Sequence, residues 1–199
     1  MIEKGVGYIP EDRKLFGVST RFSIAYNFML RDLKNPSFFR HGILRKKNVH
    51  ELGKKQMQKF DIRAPSEKIS VGSLSGGNMQ KVILARESSR QLKLLLACQP
   101  TRGLDIHATS FIRTQIIKSR KQGLAVFWVS EDLDELMMLA DRIAVIFRGK
   151  FLRPAGEVVF MHLMQIVTWY RSSFDLDALA ARIVAQYADA ARGPWRCGQ

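Results

Sequence analysis

Cysteine is scarce in this chain, with two residues in 199, and acidic side chains are outnumbered by basic ones, 18 against 32. Cys98 and Cys197 lie far apart, so neither a disulfide framework nor a cysteine metal cluster is encoded, and a reducing compartment such as the cytosol fits. Long apolar runs are also missing. The opening Met1-Ile2-Glu3-Lys4-Gly5 has no apolar signal-peptide core. The longest apolar-leaning stretch, Val158 to Trp169, is interrupted by His162 and Gln165 and is too short to span a bilayer. Membrane association is therefore expected only through a partner. No Gly-x-x-x-x-Gly-Lys-[Ser/Thr] run occurs, which removes the loop whose amides and lysine would cradle β- and γ-phosphates.

What is present is an ordinary globular composition, 46% hydrophobic and 25% charged, long enough for one domain with a sizeable core. The formal charge of +14 raises nucleic-acid binding as a rival function. Arg40, Arg45, Lys46, Lys47, Lys54, Lys55 and Lys59 do concentrate positive charge. No zinc-finger, helix-turn-helix or RNA-binding pattern accompanies them, so they read as a solvated face, or as a surface suited to an anionic leaflet.

Strands and helices alternate. Val6 to Ile9 reads as a short strand ended by Pro10, which cannot continue a central ladder. Residues 22 to 60 read as helical with breaks at Asn35-Pro36 and Gly42, and Val49, Leu52, Gln56 and Phe60 fall at helical spacing. Asn78 to Arg90 is expected as a helix with Met79, Val82, Ile83 and Arg86 on one face. Leu92 to Cys98 is nearly all apolar, as in a strand covered on both sides. His107 to Gln122 reads as a helix closed by Lys118, Arg120, Lys121 and Gly123. Leu124 to Ser130 and Arg142 to Arg148 are further strands, with Ser130 expected to cap the helix between them. The order predicts an α/β fold with a parallel sheet.

The most telling stretch is Leu74-Ser75-Gly76-Gly77-Asn78-Met79-Gln80-Lys81. A Ser-Gly-Gly turn at the mouth of a helix exposes a hydroxyl and backbone N–H groups that can hold a phosphate. Alone it is weak, since many Gly-rich turns precede helices. It is followed, however, by an apolar strand running into Gln99-Pro100-Thr101-Arg102-Gly103-Leu104-Asp105. The pair resembles the signature loop, Walker B strand and D-loop of an ABC-type ATP-binding subunit. Gly5 to Arg13, reading GVGYIPEDR, resembles the Q-loop strand of the second ATPase half of simple-sugar and nucleoside importers. Val129 to Leu136 resembles their switch region, and Asp141 to Ile146 the strand after it. The IPEDR run, Arg102 within PTRGLD, and QPT in place of DEPT lean to that importer branch.

The resemblance implies a partial nucleotide-binding domain over residues 1–152, with a Q-loop strand at 5–13, a helical subdomain at about 20–70 and a signature-to-switch segment at 72–150. It also implies that the P-loop portion lies upstream of what is present. The signature side is intact in Ser75, Gly76, Gly77 and Gln80, which by resemblance would contact ATP held by a partner half, with Asp105 communicating across the dimer. The other side of the site is altered. Cys98 stands at the Walker B acid and is too soft for Mg²⁺. Gln99 stands at the catalytic carboxylate and cannot accept a proton. Glu131 stands at the switch histidine, where its charge repels phosphate, and Glu11 stands at the Q-loop glutamine.

ATP and Mg²⁺ are therefore expected only through a P-loop-bearing half. The further expected partners are a permease, contacted near Glu11 and residues 22 to 33, and indirectly a solute-binding protein. The expected location is the cytoplasmic face of a bacterial cell membrane, as a peripheral protein. The alternatives are a non-catalytic remnant and, less in keeping with the motifs, a basic nucleic-acid-binding protein. Beyond Leu152 the resemblance stops: residues 1–150 hold 14 lysines and 151–199 none. A frameshift or an imprecise gene boundary would leave such a tail. A real appended helix from Leu176 to Ala190, with Leu176, Leu179, Ile183 and Tyr187 on one face, is the other reading.

Overall fold

The computed structural model describes residues 5–33, 35–40, 42–147, 150–152 and 165–169. The expected tail helix and Cys197 lie outside the described residues. A central sheet joins β1 (Val6–Ile9), β4 (Leu94–Cys98), β5 (Ala125–Ser130), β8 (Gln165–Trp169), β6 (Arg142–Phe147) and β7 (Lys150–Leu152), in that spatial order. β1, β4 and β5 are mutually parallel, with Ile9 beside Ala97 and Cys98 beside Val129. Their carboxyl ends thus finish along one edge, and the loops after them, starting at Pro10, Gln99 and Glu131, emerge together. In an open α/β sheet that edge is where ligands are handled.

The parallel arrangement is not complete. β8 pairs antiparallel with both β5 and β6, and β7 pairs antiparallel with β6. Residues 165–169 therefore lie inside the sheet, a placement that the loss of family pattern after Leu152 did not suggest.

Between β1 and β4 the chain builds a helical part. It comprises α1 (Ile24–Met29), a two-residue hairpin of β2 (Phe39–Arg40) and β3 (Ile43–Leu44), and α2 (Lys46–Lys59). The hairpin replaces helix on both sides of the break expected at Gly42. Asn27, wholly buried, accepts from the Ser19 amide at 2.8 Å and donates to the carbonyls of Ser19, Phe22 and Ser23, fixing the entry to α1. The segment leading to the signature is laid against that entry. Val71 N–H donates to Phe22 carbonyl, Gly72 N–H to Thr20 carbonyl and Ile24 N–H to Ile69 carbonyl.

α3 (Gly76–Ser88) is the centre of the fold. Every residue from Met79 to Glu87 is buried, so the one-sided face expected for it is wrong: the helix is covered all round. Its polar residues are consequently partnered. Glu87, fully buried, accepts from Arg86 Nε at 3.1 Å and the Tyr8 amide at 3.4 Å, and its carboxylate lies 3.3 Å from Arg31 Nε. One carboxylate thus ties the turn after α1, β1 and α3 together. Burial lowers the Arg86 pKa against the opposing charge of Glu87.

α4 (Ile106–Lys121) and α5 (Leu133–Leu139) cover the sheet through Ile112, Ile116 and Leu136, all packed into the main core with Trp128 and Leu95. Gly123 ends the α4 connection with φ +94°, a conformation open mainly to glycine. The cap of α5 is Asp132, which accepts from the Glu135 amide at 2.9 Å. Ser130, expected in that role, instead accepts from the Asp132 amide at 3.1 Å and donates to Glu135 Oε2 at 3.0 Å. The difference follows from β5 continuing through Ser130, which leaves the turn two residues later.

Candidate nucleotide site

Ser75 adopts extended backbone and caps α3. Its Oγ accepts from the Asn78 amide at 3.4 Å and the Asn78 side chain at 3.1 Å. Ser75 and Gly76 are exposed and Gly77 is half-buried. A thirteen-residue helix directs its free N-terminal amides and positive dipole end at this turn, an arrangement suited to phosphate oxygens. Two neighbours crowd the glycines. A Cβ on Gly76 would lie 2.9 Å from Arg13 Nη1, and one on Gly77 would lie 2.9 Å from Ala108 Cβ.

Gln80 does not share that exposure. It is fully buried, and its Nε2 donates to the Pro100 carbonyl at 2.7 Å. The expectation that it faces a ligand is corrected: one helical turn beyond Gly76 the side chain points into the core, where it ties α3 to the turn after β4. Asp105 caps α4 by accepting from the Ala108 amide at 2.8 Å, and that bond holds its carboxylate below the usual range. Its Oδ2 lies 3.6 Å from the Cβ position of Gly77, so Asp105 stands beside the Ser75–Gly77 turn.

Cys98, Gln99 and Glu131 also converge. Cys98 ends β4, Gln99 follows it, and Gln99 Oε1 accepts from the Glu131 amide at 3.4 Å. Gln99 is buried with φ +48°, a left-handed backbone that costs a side-chain-bearing residue about 1–2 kcal/mol. Its Nε2 has no hydrogen-bond partner among the described residues. Burial, then the nearby Glu11 charge, pushes the Cys98 thiol up to about 11, outweighing a hydrogen bond with Tyr8. At neutral pH Cys98 is thus a protonated thiol, and Gln99 offers an amide. Neither suits Mg²⁺. Among the described residues no group of three His, Cys, Asp or Glu could hold a metal ion.

Glu11 is exposed and bonds the guanidinium of Arg102, while Arg13 Nη2 donates to the Arg102 carbonyl. A cleft of about 490 Å³ opens there, lined by Tyr8, Glu11, Asp12, Arg13, Phe16 and Arg102. Asp12 caps the tight turn Arg13–Gly17 by accepting from the Lys14 and Leu15 amides at 2.9 Å each.

Glu135 was not foreseen as part of this edge. Fully buried, it accepts from Thr101 Oγ1 at 2.8 Å, Arg113 Nε at 2.7 Å and Ser130 Oγ at 3.0 Å. It links the turn after β4 to the end of β5. The only sequence signal was an acid in the first turn of a helix, which also serves the dipole and so does not single out a hub.

The fold is that of an ATP-binding cassette. The dimeric post-hydrolysis structure of the cassette MJ0796, bound to ADP and Pi, superposes with a TM-score of 0.51 at 20% identity, over 66% of this chain and 54% of that one. No family model matches the chain. In sequence it is 40% identical over 150 residues to the guanosine import ATP-binding protein NupO of Bacillus subtilis, covering 75% of this chain and 29% of that protein. It is likewise 40% identical over 148 residues to the nucleoside import ATP-binding protein NupA of Lactococcus lactis, covering 74% and 29%. The ribose import ATP-binding protein RbsA of Lactococcus lactis is 35% identical over 169 residues, 84% of this chain and 34% of that protein. Over some three quarters of its length the chain is a homologue of the ABC-type import ATP-binding proteins. It spans about a third or less of the length of these relatives. Among the described residues no helix is long and apolar enough to cross a membrane.

Proposed function

We propose that this chain is an ATP-binding component of an ABC importer for a simple sugar or nucleoside. In this reading residues 1–152 form a partial ATPase domain, to whose sheet residues 165–169 add a strand. Ser75, Gly76 and Gly77 contact the phosphates of ATP held by a P-loop-bearing half, while Asp105 sits at the junction between the two. The observation that carries the reading is the asymmetry of the site. The α3 N-terminus is open and correctly capped, whereas a protonated Cys98 and an amide at Gln99 leave the opposite side unable to hold Mg²⁺ or accept a proton. ATP and Mg²⁺ are then supplied through the partner half.

The same reading places a permease against the Q-loop turn and the helical part. Leu15, Phe16, Phe22 and Leu33 are large apolar side chains left 70%, 66%, 49% and 51% exposed there, a surface of the kind that a partner covers. A solute-binding protein would act indirectly, through the permease. The membrane is met only through that permease, at the cytoplasmic face. The test is to mix the chain with an intact P-loop half. A gain in ATP hydrolysis is expected, and Ser75→Arg should abolish it by filling the turn with a bulky side chain. No gain at any ratio counts against the reading.

A further inference from the structure

Two sequence marks, the IPEDR run and the arginine of PTRGLD, are physically one unit. Arg102 bonds Glu11, and Arg13 reaches back to the Arg102 carbonyl, linking segments 91 and 89 residues apart. The Arg13 guanidinium then lies against Gly76, near enough that no β-carbon would fit without displacing it. At the next residue the first turn of α4 lies equally close to Gly77. The Ser75–Gly77 turn therefore has Arg13 against one glycine and Ala108 against the other.

We propose that Arg13 is a positioning residue for the signature turn, holding the Gly76 and Gly77 amides in the orientation that receives phosphate, with Arg102 and Glu11 orienting Arg13. This rests on the reading that the turn serves a nucleotide held by a partner half. A planar guanidinium suits the task because one nitrogen, Nη2, donates to the Arg102 carbonyl while the other, Nη1, lies against Gly76. Gly76 is thus required for the close approach of Arg13 as well as for access by a ligand. A substituted signature turn with the same amide count but without the wedge would be free to rotate about Ser75.

The experiment has two independent arms. In the chain alone, backbone ¹⁵N relaxation reports Gly76 and Gly77, and hydrogen exchange reports Met79, whose amide bonds the Ser75 carbonyl at 2.9 Å. In wild type the two glycines should show order parameters near 0.85, falling below about 0.6 in Arg13→Ala. Met79 exchange should rise about tenfold in that variant, with Leu95 and Val126 unchanged. Arg13→Lys should recover little, lacking the fork, and Arg102→Ala should show an intermediate loss. In the mixture with a P-loop half, Arg13→Ala should raise the ATP concentration for half-maximal gain about tenfold, more than it lowers the plateau. Unchanged order parameters and exchange in Arg13→Ala overturn the assignment whatever the mixture does. A loosened turn with an unchanged ATP requirement also overturns it, because the wedge would then be structural only. If wild type itself gives no gain, the nucleotide reading fails, and the assignment of Arg13 to positioning for phosphate fails with it.

Discussion

The Thr101 hydroxyl donates to the Glu135 carboxylate at 2.8 Å across 34 residues of sequence, joining the turn after β4 to the helix after β5. Arg113 Nε, 2.7 Å from the same oxygen and 24% exposed in its side chain, supplies the countercharge. Glu135→Ala leaves that cation and two hydroxyls without their shared acceptor. Because Arg113 reaches solvent, the expected loss is roughly 2–4 kcal/mol, below that of a fully sealed pair. A urea midpoint that drops with the slope unchanged is the outcome that checks it, and Thr101→Ala should cost about 1 kcal/mol.

Gly77→Ala should destabilise the fold by about 1–3 kcal/mol. The new methyl would meet Ala108 Cβ at 2.9 Å, and a backbone-attached neighbour on another helix cannot rotate away. Thermal unfolding of the variant beside Gly123→Ala, where no atom lies within 4 Å but φ is +94°, separates crowding from backbone strain.

Cys98 should resist alkylation. With its pKa pushed up to about 11 by burial and by the Glu11 charge, the thiolate is a minute fraction at pH 7.5. Peptide mass mapping after brief iodoacetamide treatment of the folded chain should find Cys98 unmodified, and modified once urea is added. Rapid labelling in the native protein would show that the strand end is open.

Asp61 titrates with a stability signature. A hydrogen bond from Lys81 Nζ at 2.9 Å, together with the Lys81 charge, holds the Asp61 carboxylate below its usual range. A depressed folded pKa contributes stability above the unfolded value of about 3.9, which is lost as pH falls through the folded pKa. The urea midpoint of wild type should therefore exceed that of Asp61→Asn at pH 6, and the gap should close below pH 4. Asparagine tolerates the Asp61 φ of +47°, so the comparison isolates the charge. A gap that persists at pH 2.5 would assign the effect to the backbone.

Much of the framework was legible along the chain. β1 spans Val6–Ile9 as read, and β4, α4, β5 and β6 fall within two residues of their expected bounds. Apolar runs, Pro10 and Gly123 act on their immediate neighbours, so local reading finds them. Residues 36 to 44 misled it, because a hairpin with two-residue strands is too short to show a period. α3 misled it differently. Gln80, Lys81 and Glu87 lie off the face read from Met79, Val82, Ile83 and Arg86, yet each is buried with a partner from a distant segment, Pro100, Asp61 and Tyr8 respectively.

By itself the sequence determined the order of motifs, the alternation of strand and helix, the Ser-Gly-Gly turn at the mouth of a helix and the presence of a thiol and an amide, Cys98 and Gln99, at the end of an apolar strand. Those features depend on residue identity or on neighbours within one helical turn. Only the tertiary structure decided that Glu135 joins Thr101 to Ser130, that Gln80 turns inward, that Arg13 wedges Gly76, and that residues 165–169 run antiparallel between β5 and β6. Each of these depends on segments tens of residues apart being brought to one place by burial of the apolar core, and no local period encodes which polar groups meet when that core closes.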